Sequence, residues 1–289
     1  MTLSQLGRQA LAFAGDIKLS HSIFALPFAL AAAWLVSRQQ EIEAAQWVWL
    51  LVAMVGARSS AMGFNRIVDR RLDAANPRTQ GRALPAGRMT PAVAWALTLG
   101  FTALFVLASA MLHRTCLLLS PVALLVLWGY SLTKRFTALC HLLLGLALGL
   151  APVAVWIGLT GGVQAPALLL GGAVLSWVAG FDVLYSLQDR DFDRQAGLHS
   201  IPVALGERGA LRVSEGLHLL TVLLLGALPF SVSLGWPYLV GLGVITALLV
   251  WEHTLVRPGD LSRLDQAFFA MNGWVGMGVL VAIVAGSIS

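Results

Sequence analysis

Two pairs of aspartates, each spaced four residues apart, are the part of this chain best suited to chemistry: Asp69 with Asp73, and Asp189 with Asp193. Asn65 stands four residues before the first pair and Tyr185 four before the second. On a helix, positions i, i+4 and i+8 drift slowly around the axis, so each triplet presents oxygens along one face. Hard oxygen donors at this spacing suit magnesium, which one or two carboxylates hold while phosphate oxygens complete the shell. Like charges converging in a crevice repel, and a divalent cation with a polyphosphate would relieve that repulsion. The competing reading makes Asp69, Asp73, Asp189, Asp191 and Asp193 solvated helix-end acids paired with neighbouring arginines.

Cations accompany both pairs. Arg70, Arg71, Arg78, Arg82 and Arg88 follow the first, and guanidinium forks match phosphate oxygens. Lys134 and Arg135 fall in a short connection expected on the same side. Arg58 lies seven residues before Asn65, about two turns inside a predicted span. A charge at that depth faces a cavity, pairs with an acid or binds an anionic substrate. Asp182, seven before Asp189, occupies the matching depth, so an Arg58–Asp182 pair and a substrate role for Arg58 are both open. His21, His141 and His199 read as hydrogen-bonded structural or interfacial residues, and no role is assigned to His21.

These residues need a scaffold, and composition says which kind. The 289 residues are 58% hydrophobic and only 11% charged, against about 25% charged in globular proteins. The chain is all-α and polytopic in the membrane. Apolar runs near 20–37, 46–68, 91–112, 115–133, 138–158, 166–188, 210–231, 237–252 and 266–286 predict nine spanning helices. With the N-terminus inside, the segments 1–19, 69–90, 133–137, 189–209 and 253–265, together with Arg212, hold fifteen of the 19 Lys and Arg residues. That segregation supports the count and places both acidic pairs at the cytoplasmic face. The net charge of +5 is therefore topological, and no nucleic-acid partner is expected. Trp34, Trp47, Trp49, Trp236 and Trp251 fall near span ends as an interfacial belt. Cys116 and Cys140 lack metal or disulfide spacing and read as free thiols. The polar start, Ser4 to Arg8, carries no signal-peptide pattern, so the first apolar run is expected to persist as a helix.

The chain reads as one domain, 1–289, of two pseudo-repeated halves, with motifs at 65–88 and 185–206. Each acidic pair is followed by a loop rich in Pro and small residues, Asn76–Gly87 and Gly197–Gly206. Both lie on one membrane face, which points to a single composite site.

The order of blocks carries a resemblance. Asn65-x3-Asp69-x3-Asp73, then Pro77-Arg78-Thr79-x2-Arg82-x-Leu84-Pro85-x-Gly87, then Tyr130-x3-Lys134-Arg135, then Tyr185-x3-Asp189-Arg190-Asp191-x-Asp193-x3-Gly197-x2-Ser200 resembles the UbiA superfamily of intramembrane aromatic prenyltransferases. The resemblance implies nine transmembrane helices around a central cavity with cytoplasmic cap loops, in a bacterial inner membrane. It implies transfer of a polyprenyl group from a polyprenyl diphosphate to an aromatic acid or phenol such as 4-hydroxybenzoate in quinone biosynthesis. By position, Asn65, Asp69, Asp73, Asp189 and Asp193 would hold Mg2+ on the diphosphate. Arg78, Arg82, Lys134 and Arg135 would bind the diphosphate, and Arg58 would sit near acceptor or phosphate, with Tyr185 also in the substrate site. Asp189 or Asp191 is the candidate for activating the phenol. One departure stands out: many members carry an acid directly after the motif asparagine, where this chain has Arg66. The opening Ser20–Phe28 looks more like a branch serving menaquinone by the futalosine route, which would make the acceptor naphthoate-like. A membrane transporter is the alternative from another class. Its usual inverted repeats and midplane site differ from two parallel motifs at one face.

Overall fold

Long apolar stretches in this chain satisfy their backbone polar groups internally, and the computed structural model, which describes residues 3–17 and 26–289, is correspondingly helical. Eleven α-helices run in order: α1 Leu3–Asp16, α2 Leu26–Ser37, α3 Ala44–Ala75, α4 Pro91–Leu112, α5 Arg114–Thr133, α6 Cys140–Thr160, α7 Ala165–Tyr185, α8 Arg190–Gln195, α9 Ile201–Ala227, α10 Trp236–Leu255 and α11 Asn272–Ser287. Apart from an isolated bridge between Arg257 and Asp260, the described residues contain no β structure.

Among the described residues, eight segments are long and apolar enough to cross a membrane, and α2 is a shorter apolar helix. Eight of the nine expected spans thus fall on helices of spanning length; the ninth, 20–37, falls on the shorter α2, and its residues 20–25, with His21, lie outside the described ones. Two boundaries move. The span expected at 210–231 starts at Ile201, capped by the Ser200 hydroxyl accepting from Val203 N, and breaks at Gly206, where φ is +69°. A positive φ costs glycine little, so the helix resumes in a new direction. The expected cytoplasmic segment before the first span is likewise helical over Leu3–Asp16: α1 buries Phe13 and packs on α4, and Ile17, just beyond its end, is buried too.

The chain forms two compact units that interleave in sequence. The first holds α1, α3, α4 and α5. Its main packing, α3 on α4, depends on Gly56, where an added Cβ would come within 2.9 Å of Phe105 N. The second holds α2 and α6 to α11, and its contacts run in a circuit: α2 on α6, α6 on α7, α7 on α9, α9 on α10, α10 on α11 and α11 back on α2. Small residues again permit the close crossing, since a Cβ at Gly149 of α6 would lie 2.6 Å from the Gly171 carbonyl oxygen of α7. Helix α7 is the most enclosed, with Trp177, Val178, Ala179 and Val183 fully buried.

Candidate active site

The first acidic group grows from the end of α3, which continues through Ala75, so Asp69 and Asp73 are helical rather than in a loop. Asn65 Nδ2 donates to Asp69 Oδ2 at 2.9 Å, as the i, i+4 spacing allows. Arg82, returning from the following loop, places Nη1 2.6 Å from Asp73 Oδ1. Arg66 is buried at 7% exposure; its Nη1 donates to Asn65 Oδ1 at 3.1 Å and stands 3.8 Å from Asp73 Oδ2. Two polar atoms here lack a hydrogen-bond partner among the described residues, Arg66 Nε and Asp73 Oδ2.

The loop from Asn76 to Arg88 is a stack of tight turns held by polar contacts. Asn76 Oδ1 accepts from Arg78 N, Thr79 Oγ1 donates to the Asp73 carbonyl at 3.1 Å, and Gly87 supplies a φ of +68°. Helix α1 fastens the outside: Asp16 Oδ2 accepts from Ala83 N at 2.7 Å, and Gln9 accepts from Thr90 N. Thr90 then caps α4 before Pro91. Arg78 is exposed, as are Arg70 and Arg71. Arg58 is partly buried on α3 and its Nη2 reaches the Ile17 carbonyl at 3.4 Å.

The second acidic group is built differently. Helix α7 ends at Tyr185, a 3-10 turn spans Ser186–Asp189, and α8 restarts at Arg190. The expected continuous face through Tyr185, Asp189 and Asp193 is therefore broken, because the tighter turn resets the register. Tyr185 stacks on Phe268 with ring centroids 4.0 Å apart. Asp191 is exposed, Asp189 half-buried and Asp193 wholly buried. Lys134 Nζ sits 2.8 Å from Asp193 Oδ1. Burial pulls the Lys134 ammonium towards losing its proton, but the Asp193 carboxylate, and behind it Asp189, outweigh that and hold its pKa above the ordinary value. Arg190 instead bonds Glu207, which also accepts from Gly259 N.

The connection between α5 and α6 is sewn to the end of this loop. His199 N donates to the Lys134 carbonyl at 2.7 Å, and Cys140 Sγ approaches the His199 carbonyl at 3.6 Å. His141 takes Ile201 N on Nε2 at 3.4 Å and meets Asp182 Oδ2 with Nδ1 at 2.7 Å. Asp182 thus has a histidine partner in its own unit. Both cysteines are free thiols, as expected.

Three features escaped the sequence. Asp16 fixes a loop almost seventy residues away. Arg66 is buried against the motif asparagine. A buried polar chain joins four helices: Trp177 Nε1 donates to Asn272 Oδ1 (2.8 Å), Asn272 Nδ2 donates to Glu252 Oε1 (3.1 Å), and His218 meets His253 (2.9 Å) and the Trp177 carbonyl (3.3 Å). Its available signal was Glu252 itself, an acid in an apolar span.

Among the described residues, no three His, Cys, Asp or Glu side chains converge tightly enough to enclose a metal ion. Magnesium does not require that, because one or two carboxylates and substrate phosphate oxygens suffice. The all-oxygen donor sets, with Asp73 Oδ2 lacking a hydrogen bond in a buried position, fit such a partial site.

A membrane helical fold with two aspartate groups, each beside cations suited to phosphate, defines a class of intramembrane transferases. The UbiA prenyltransferase family model matches residues 25–275, and the chain belongs to that family. It is 30% identical over 258 residues to a 4-hydroxybenzoate octaprenyltransferase of Dechloromonas aromatica (strain RCB), covering 88% of this chain and 86% of that one. A 4-hydroxybenzoate octaprenyltransferase of Thiobacillus denitrificans (strain ATCC 25259 / T1) is 31% identical with the same coverages. The structure of a UbiA homolog from Aeropyrum pernix K1 in its apo form superposes with a TM-score of 0.83 at 34% identity, covering 92% of this chain and 98% of that one. A UbiA homolog from Archaeoglobus fulgidus bound to DMAPP and Mg2+ shares the fold, with a TM-score of 0.69 at 19% identity and coverages of 93% and 99%.

Proposed function

We propose that this protein transfers a polyprenyl group from a polyprenyl diphosphate to an aromatic acceptor such as 4-hydroxybenzoate, at the cytoplasmic side of a bacterial inner membrane, releasing pyrophosphate. The observation that carries the reading is the pair of aspartate groups, each paired with a cation that a diphosphate could engage: Asp73 with Arg82, and Asp193 with Lys134. The relatives named 4-hydroxybenzoate octaprenyltransferase support the acceptor class. The Archaeoglobus fulgidus homolog bound to DMAPP and Mg2+ supports the donor class.

In this reading Asn65, Asp69, Asp73, Asp189 and Asp193 are the residues that would hold Mg2+, which would supply neutralisation of charge on the leaving group. Arg78, Arg82, Lys134 and Arg135 donate hydrogen bonds to the diphosphate oxygens, and those bonds strengthen as negative charge develops there. The allylic C–O bond breaks and its electron pair leaves with the diphosphate. The ring carbon ortho to the phenol oxygen then attacks the allylic cation. Asp189 or Asp191 accepts the phenol proton as the ring attacks; a carboxylate then takes the ring proton and the oxygen takes its own proton back, which restores the aromatic phenol with one proton released overall. Arg58 and Tyr185 line the substrate side, and apolar helix faces keep water from the cation.

The test offers purified membranes a polyprenyl diphosphate with 4-hydroxybenzoate or a hydroxynaphthoate and identifies products by mass spectrometry. Asp73→Asn and Asp193→Asn are expected to lower turnover at least a hundredfold while remaining folded and membrane-inserted. Full activity of either variant, or undiminished turnover with EDTA, would refute the assignment. A naphthoate product in place of a benzoate one would move the acceptor to the menaquinone class and leave the donor chemistry intact.

A further inference from the structure

Arg66 is the residue in the first acidic group that the proposed reaction leaves without a task. It is buried, and its Nη1 covers the carbonyl oxygen of Asn65, an atom assigned above to metal. The same guanidinium faces Asp73 Oδ2 across 3.8 Å, too far for a hydrogen bond. Two buried atoms of this group, the N–H donor Arg66 Nε and the carboxylate acceptor Asp73 Oδ2, have no hydrogen-bond partner among the described residues. Leaving such groups unmatched is costly, and a relaxed ion pair would have closed into a two-bond fork. A lone metal would satisfy the carboxylate but face the guanidinium charge. A lone phosphate would satisfy the guanidinium but face the carboxylates. A metal–diphosphate complex satisfies both, giving oxygen to Arg66 and cation to Asp73.

From this geometry we infer that Arg66 is a diphosphate ligand that also gates metal entry: the first acidic group takes a divalent cation well only when a diphosphate draws the guanidinium off Asn65 and Asp73. The inference rests on the prenyl-diphosphate reading and adds an order to it. Metal and diphosphate binding at this group are then coupled, and coupling is reciprocal, so each ligand raises the affinity of the other by the same factor.

The test measures Mn2+ binding by electron paramagnetic resonance on purified protein in lipid nanodiscs, with and without inorganic pyrophosphate, corrected for free Mn2+–pyrophosphate. For the unaltered chain, pyrophosphate is expected to tighten Mn2+ about tenfold, within the usual range for coupled sites. Arg66→Gln is expected to bind Mn2+ alone more tightly, to bind pyrophosphate alone more weakly in EDTA, and to show less than threefold coupling. Arg66→Lys retains the charge without the Nε donor, so it should keep the weak metal-only binding and lose most of the pyrophosphate gain. It also serves as the test should Arg66→Gln fail to fold. Unchanged coupling in these variants, or equally tight Mn2+ binding with and without pyrophosphate in the unaltered chain, would overturn the gate and leave the reaction standing. If Asp73→Asn leaves Mn2+ binding unchanged in both conditions, the first group holds no metal, and the reading beneath the inference falls with it.

Discussion

Replacing Lys134 by methionine removes the ammonium from a wholly buried carboxylate while sparing the backbone, because His199 N bonds the Lys134 carbonyl rather than its side chain. Removing one partner of a buried ion pair costs about 3 to 5 kcal/mol, since the other charge stays behind. Exposed pairs contribute about 0.2 to 1 kcal/mol. Asp193 is 0% exposed, but the Lys134 side chain is 34% exposed, so water screens the pair on one side. An intermediate loss of about 2 to 3 kcal/mol follows. Equilibrium unfolding in mixed micelles measures it, with Asp193→Asn and the double variant completing a cycle. The double variant leaves no stranded charge and should lie within about 1 kcal/mol of the unaltered chain. The pH dependence has a definite direction. Lys134 titrates above its ordinary value of 10.5, so its contribution is fully present below that value and is lost only as pH rises through the higher folded one. The Lys134 charge itself is therefore constant between about pH 7 and 9, while burial raises the Asp193 pKa and loss of Lys134 raises it further, so the Lys134→Met deficit should narrow as pH falls and the stranded carboxylate takes a proton. A single-variant loss under about 0.5 kcal/mol, or a double variant no better than Lys134→Met, would refute the claim that this pair fixes the second acidic loop.

Two further outcomes follow from contacts described above. Asn272→Ala strands the Trp177 indole N–H and one oxygen of Glu252; hydrogen bonds between membrane helices are modest, about 0.6 kcal/mol on average, but two orphaned buried groups raise the loss to about 2 kcal/mol in the same unfolding assay, and a loss below about 0.5 kcal/mol would contradict the network. Asp16→Ala frees Ala83 N, so amide exchange at Ala83 should accelerate at least tenfold and KM for the polyprenyl diphosphate should rise more than kcat falls, whereas unchanged exchange would show that α1 does not hold the loop.

How much of this was legible in the sequence depends on the range of the interaction concerned. The Asn65–Asp69 bond is an i, i+4 contact on one helix, and spacing alone predicts it. Hydropathy predicted the eight long apolar helices, whereas the ninth expected span falls where length is marginal, at the twelve-residue α2. The break after Tyr185 was not visible, because a 3-10 turn and a short α-helix share the local propensities of a continuous one. The partners of Asp182 and Ala83 were beyond reach for another reason. Asp182 meets a histidine from α6 and Ala83 an aspartate from α1, and such long-range choices are set by packing rather than by pattern. Arg66 drew notice as a departure from a motif, but its burial against Asn65 and Asp73 depends on the χ angles that side chain adopts on α3, which no spacing rule gives.

The two acidic groups nevertheless share one construction, each within its own unit. In both, aspartates stand at or just beyond the end of a long apolar helix, a loop folds back, and a Ser or Thr cap followed by proline starts the next helix: Thr90 before Pro91, and Ser200 before Ile201 and Pro202. In both, a distant segment grips the loop backbone, α1 through Asp16 to Ala83 N, and the α5–α6 connection through the Lys134 carbonyl to His199 N. Backbone grips of this kind fix where a loop runs while leaving its side chains free to exchange partners. That division suits a site in which Arg82 and Lys134 lie against aspartates before a substrate arrives. The carboxylate that each cation holds in the resting protein is the one proposed to take metal, so in that reading each cation would trade its aspartate for diphosphate oxygen as the aspartate takes metal, and breaking either pair without such an exchange would leave a buried charge alone.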